Sequence, residues 1–221
     1  MKTTPSLSRR ALRRGFSLVE LLVVMMIILM LMAIAIPALT GTLRSSHLNS
    51  AGRSVIDQLN LAGQTARSRN VSVEVRFYLL PDYNKAVTET ATVYRGFQLF
   101  SINEGGQAIP LGKPEYFHNP VVISTDPKMS ALFADKSDSN SAQYEHSPLS
   151  AGANADPRLP EFDWNYKYTP FQFTPSGATN LKAGKEYLTL LLKNGDSLEK
   201  GGNFYTIQVD PISGSVRSFR P

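Results

Sequence analysis

The sequence predicts an α+β protein: a long N-terminal helix, half membrane-like and half amphipathic, followed by an antiparallel β-sandwich-like domain. Three observations carry this. Sixteen consecutive apolar residues run from Leu21 to Ile36. Beyond them, apolar residues recur at helical spacing as far as Ala66. After residue 70 the pattern changes to period-two alternation broken by turn-forming residues.

The apolar run reaches back through Val19 and Leu18 to Phe16, so Phe16–Ile36 offers 21 residues. A helix rising about 1.5 Å per residue needs about 20 residues to cross a bilayer core. Arg9, Arg10, Arg13 and Arg14 lie just upstream and mark that side as cytoplasmic, since basic residues are retained there. The segment therefore reads as a single-pass anchor, N-terminus in the cytoplasm and domain beyond an inner membrane. A secreted signal peptide is the competing reading, with cleavage after Ala33-Ile34-Ala35. The run is longer than the usual ~7–15 residues of such a peptide.

Glu20 breaks the apolar pattern. An unpaired carboxylate near the bilayer centre costs roughly 2.5–3.5 kcal/mol on insertion scales. Cleavage between Gly15 and Phe16 would create an α-amino group one helical turn away, able to neutralise it within the chain or in a neighbour. A solvated Glu at headgroup level is the simpler alternative.

Beyond Pro37, which removes a helix donor and crowds the preceding turn, Leu39, Leu43, Leu48, Ala51, Val55, Leu59, Ala62 and Ala66 form one apolar stripe. Arg44, Asn49, Arg53, Asp57 and Gln64 stand opposite. Gly41, Gly52 and Gly63 each weaken the helix by about 1 kcal/mol relative to Ala. They are either simply tolerated there or permit close helix packing in a filament. The expected organisation is a basic leader at 1–15, a membrane helix at 16–38, an amphipathic helix at 39–70 and a β-domain at 71–221.

Val71, Val73, Val75, Phe77 and Leu79 alternate with Ser72, Glu74, Arg76 and Tyr78. This predicts a strand with one apolar and one polar face. A second strand follows over 91–102, with shorter ones at 108–111 and 121–124. A short helix fits 128–134. Residues 135–163 are rich in Ser, Asp, Asn, Ala and Pro and read as a flexible insertion. Strands return from Trp164, with turns at Pro175-Ser176-Gly177 and Asp210-Pro211-Ile212-Ser213-Gly214. This half reads as an antiparallel meander.

The charge balance gives no evidence for a nucleic-acid footprint. The formal net charge is +5, from 23 basic and 18 acidic residues. Five of the basic residues lie in the first 15, so the rest of the chain is formally neutral. Arg217 and Arg220 read as ordinary surface charges, three residues apart and on opposite faces of a strand. There is no cysteine, hence no disulfide, thiolate metal site or thiol chemistry. No nucleophile motif, phosphate loop or zinc-binding helix is present. His47, His118 and His146 are isolated in sequence. Asp135, Asp138 and Asn140 offer oxygen atoms of the kind calcium takes, but the central Gly and closing Glu of an EF-hand loop are missing. Trp164, Tyr166 and Tyr168 alternate on one face and suit either a stacking platform or a packed strand. No catalytic residue, metal or cofactor is expected.

Arg13-Arg14-Gly15-Phe16-Ser17-Leu18-Val19-Glu20-Leu21 resembles the prepilin cleavage and N-methylation motif of type IV pilins and type II secretion pseudopilins. The resemblance implies cleavage after Gly15 and methylation of the Phe16 amine by a prepilin peptidase/N-methyltransferase. It implies that Glu20 guides docking into a filament. The partners would be other pilin or pseudopilin subunits, an inner-membrane assembly platform and membrane lipid, with nucleic acid not expected. Phe171-x-Phe173-x-Pro175-x-Gly177, followed by Tyr205-x-Ile207-x-Val209 and Ser213-Gly214-x-Val216, resembles the C-terminal domain of H-type minor pseudopilins. With the insertion, the chain also resembles the prepilin-like D proteins of the Verru/Chthon cassette. The expected function is a structural subunit of a periplasmic pilus or type II secretion-like pseudopilus. A DNA-capturing minor pilin, or a tethered periplasmic binding or enzymatic domain, is the alternative.

Overall fold

A computed structural model describes residues 17–83, 92–133, 144–145, 167–194, 197–198 and 203–221. The chain divides into two compact units, Met1–Thr42 and Leu43–Pro221. Helix α1 spans Leu18–Arg69 and continues through Pro37. In the first unit, every large apolar side chain from Leu18 to Ile34 is at least 41% exposed.

In the second unit, α1 ends for a local reason. Asn70 takes the left-handed conformation (φ 53°), which Asn tolerates better than most residues. The Val71 amide then donates to the Ala66 carbonyl at 3.2 Å. This is the six-to-one bond of a Schellman cap, and it turns the chain into the first strand.

Eleven strands follow among the described residues. They are β1 (Ser72–Pro81), β2 (Thr92–Ile102), β3 (Ala108–Pro110), β4 (Glu115–Tyr116), β5 (Val121–Ile123), β6 (Tyr144–Glu145), β7 (Lys167–Phe173), β8 (Tyr187–Asn194), β9 (Ser197–Leu198), β10 (Phe204–Val209) and β11 (Val216–Phe219). A 3-10 turn at Ala131–Phe133 stands where a short helix is expected. All the pairings among the described residues are antiparallel. The strands join in one network ordered β11-β10-β8-β5-β2-β1-β7-β6, with β3 and β4 on β2 and β9 on β8. The network has two halves, because β2 and β5 meet at a single register pair, Tyr94↔Ile123. The α+β class, a long helix and then an antiparallel β-domain, is as the sequence predicts.

The amphipathic stripe packs as its spacing requires. Leu48, Ala51, Val55, Leu59, Ala62 and Ala66 are buried with Val73, Val75 and Phe77 of β1, Phe171 and Phe173 of β7, and Leu188, Leu190 and Ile207 of the other half. Leu43 does not join them and stays exposed. The glycines separate into different roles. A Cβ at Gly52 would sit 2.7 Å from the Tyr205 ring, whereas nothing lies within 4 Å of one at Gly41. Gly52 is thus explained by packing inside the domain.

Two expectations need correction. The predicted polar face of β1 is buried too: Glu74, Arg76 and Tyr78 are all buried. The Arg76 Nε donates to Glu74 Oε1 at 2.5 Å. Its guanidinium lies 4.2 Å from the Phe100 ring centre and 4.5 Å from that of Tyr168. Gln172 Nε2 donates to Glu74 Oε2 at 2.8 Å. Alternation reveals two faces but does not say whether both are covered, and ring-flanked, hydrogen-bonded charges satisfy the rule for buried ions. The C-terminal half is also not a simple meander. Strands β8, β10 and β11 follow that path, but β7 crosses to pair with β1, Phe173 against Val73. Such a non-local choice leaves no mark in local periodicity.

Candidate functional site

The predicted processing residues Gly15 and Phe16 lie outside the described residues, as do Asp135, Asp138, Asn140, His146, Trp164 and Tyr166. The description begins at Ser17. Its hydroxyl accepts a hydrogen bond from the Glu20 amide at 3.1 Å, and its carbonyl accepts from the Leu21 amide at 3.1 Å. Ser17 therefore caps α1. Ser17-Leu18-Val19-Glu20 has the S-x-x-E spacing of a capping box, a local signal that the sequence reading passed over. Glu20 is in the first helical turn, where negative charge is favourable against the helix dipole. The helix start is thus self-contained from Ser17 onward.

The surface that follows is apolar all round. Leu18, Val19 and the run from Leu21 to Met32 and Ile34 are exposed. A helix of that kind belongs in lipid or among other apolar helices. Among the described residues, no helix is long and apolar enough to cross a membrane. Side chains are described there only as far as residue 34, while the sequence continues the run to Ile36.

In the second unit, polar residues of α1 meet β4. Ser54 Oγ donates to Glu115 Oε2, and Gln58 Nε2 donates to Glu115 Oε1 at 2.6 Å. Both carboxylate oxygens are thereby occupied. A cavity of about 170 Å³ lies beside them, lined by Ser50, Ser54, Glu115 and His118 among others. The structure also brings together two histidines that look isolated in sequence. The ring centres of His47 and His118 are 5.4 Å apart at 79°.

Arg220 is more than a surface charge. It donates to Ser45 Oγ at 3.1 Å, to Asn203 Oδ1 at 3.3 Å and to Asn49 Oδ1, which ties the chain's end to α1. Arg217 instead lines a cavity of about 290 Å³ with Glu186, Gln208 and Asp210. Tyr168 is buried edge-on to Tyr78, so the described member of the aromatic trio packs inside the domain.

At the junction of the two sheet halves, Tyr83 donates to the Phe117 and Val121 carbonyls at 2.6 and 2.9 Å. Burial pushes its phenol well above the ordinary range, against the opposing pull of Arg95, whose guanidinium lies 4.6 Å from the ring centre. Next to it, buried Asp82 accepts a hydrogen bond from Lys193 Nζ. These groups hold β1, β2, β5 and β8 together. Among the described residues no group of three or more His, Cys, Asp or Glu is placed to hold a metal ion.

Comparison with known proteins gives one match by sequence family. Residues 10–36 match the prokaryotic N-terminal methylation motif. No curated protein sequence matches the chain. Among solved structures, the type IV minor pilin FimU of Pseudomonas aeruginosa is similar over 80% of this chain and 90% of its own, at 13% identity and a TM-score of 0.39. The minor pseudopilin EPSH from the type II secretion system of Vibrio cholerae is similar over 80% of this chain and 96% of its own, at 8% identity and a TM-score of 0.41. What the chain shares at the level of sequence is the prokaryotic N-terminal methylation motif, over 27 of its 221 residues.

Proposed function

We propose that the chain is a prepilin-like structural subunit, a minor pilin or pseudopilin, that assembles into a periplasmic pilus or type II secretion-like pseudopilus. The observation that carries this reading is the exposed apolar sheath from Leu18 to Ile34, which lies within the methylation motif matched at residues 10–36. A sheath apolar on all sides has no stable place in water. Lipid before assembly and neighbouring helices after it both satisfy it.

In this reading residues 1–15 are removed by a prepilin peptidase, which also methylates the Phe16 amine. The 21 residues from Phe16 to Ile36 are long enough to span the inner membrane once, with the β-domain on the periplasmic side. An inner-membrane platform and other subunits are the assembly partners. The function is assembly, with no reaction of the chain's own. Glu20 supplies a charge that docks against the amine of a neighbouring subunit, because a carboxylate inside an apolar bundle needs a partner.

Filament incorporation of a Glu20→Leu variant tests this. The variant should be processed as the wild type is, yet be absent from sheared filaments. Incorporation at the wild-type level would remove Glu20 from the assembly mechanism.

A further inference from the structure

His47 and His118 come from elements far apart in sequence, α1 and the segment between β4 and β5. Their rings meet at 5.4 Å between centres. Two imidazoles sharing a tetrahedral ion, with metal–nitrogen bonds of about 2.0–2.1 Å, hold their ring centres roughly 5 Å apart. The observed separation matches that spacing. His47 Nδ1 is also buried and has no hydrogen-bond partner among the described residues. Buried polar atoms are nearly always paired, and one that is not calls for an explanation. A metal ion would satisfy it, since imidazole nitrogen suits zinc, copper and nickel.

The surroundings fit such a site. His118 is exposed, so an ion has a way in. The cavity of about 170 Å³ that His118 lines leaves room for water on the ion. Glu115 lines the same cavity with both carboxylate oxygens already engaged by Ser54 and Gln58, so the carboxylate is held in place and adds negative charge nearby without serving as a ligand.

We propose that His47 and His118 form a two-histidine site for a divalent transition metal ion. The remaining coordination positions fall to water. The site goes beyond the structural role proposed above and does not depend on it.

The test uses the full chain in detergent micelles, stripped with EDTA and titrated with zinc by calorimetry. Cobalt(II), followed by its visible absorption, gives a second readout of nitrogen ligation. One zinc ion per chain is expected. His47→Gln and His118→Gln should each weaken binding at least tenfold and lose the cobalt band, while His146→Gln binds as the wild type does. Circular dichroism melts check folding. Should His47→Gln unfold, the exposed His118→Gln decides. No saturable zinc binding by the wild type overturns the proposal. So does wild-type affinity in a folded His47 or His118 variant, or an equal loss in His146→Gln.

Discussion

Gly214 packs directly on the backbone of Gly177: a Cβ added at Gly214 would overlap the Gly177 carbonyl oxygen. Both residues are left-handed, with φ of 64° and 92°. The Gly177 amide closes its turn on the Thr174 carbonyl, and the Gly214 amide closes its own on the Asp210 carbonyl, each at 2.9 Å. Arg67 of α1 lies over the same place, 3.1 Å from where a Gly177 Cβ would sit. Two turns far apart in sequence thus lock together under the helix.

Gly214→Ala should therefore destabilise the domain by about 1–3 kcal/mol, through left-handed strain and overlap together. Gly112→Ala, where nothing lies within 4 Å, is the control and should be nearly neutral. Thermal unfolding of the two variants measures the contrast.

The helix glycines should separate in the same way. Gly52→Ala gains about 1 kcal/mol of helix propensity but drives a methyl group into the Tyr205 ring, and the clash, costing typically 1–3 kcal/mol, wins. Gly41→Ala meets nothing and should stabilise. Adding Tyr205→Leu to Gly52→Ala should recover most of the loss. A double-mutant cycle by chemical denaturation reads that coupling.

Breaking the buried Asp82–Lys193 pair should cost far more than replacing it. Asp82→Leu or Lys193→Met alone leaves an uncompensated buried charge and should lose roughly 3–5 kcal/mol. The double variant should lose much less than the sum, and urea unfolding of all three checks it. Tyr83 adds a pH dependence. Its phenol is raised above the ordinary 10.0, so its contribution is complete below pH 10 and falls as pH rises beyond that value. Tyr83→Phe should flatten this alkaline loss.

Asp210 gives the opposite slope. Its Oδ1 accepts from the Ile212 and Ser213 amides at 2.8 and 3.1 Å, and these bonds hold the carboxyl below its ordinary 3.8. A lowered carboxyl stabilises above its unfolded value, and the effect is lost as pH falls through the folded one. Stability should drop below pH 4, and less steeply in Asp210→Ala. Denaturant midpoints at pH 3 and pH 7 measure it.

How much of this was legible in the sequence follows from the range of each signal. The stripe from Leu48 to Ala66 was legible because helical periodicity depends on one burying partner. The strands β1, β2, β8 and β10 were legible through alternation and flanking turns. The pairing of β7 with β1 was hidden, because either neighbour satisfies the same pattern. The burial of Glu74 and Arg76 was hidden too, since the rings of Phe100 and Tyr168 that flank Arg76 come from other strands. Ser17-x-x-Glu20 is readable as a cap from its spacing alone. His47 and His118 were each visible, and only the fold brings their rings together.

The central claim is that the chain enters the prepilin pathway. The most direct test is the intact mass and N-terminal sequence of the protein recovered from membranes. The account predicts a chain that begins at N-methylated Phe16. A chain beginning at Ile36, or one that keeps its first fifteen residues beside an active prepilin peptidase, would contradict it.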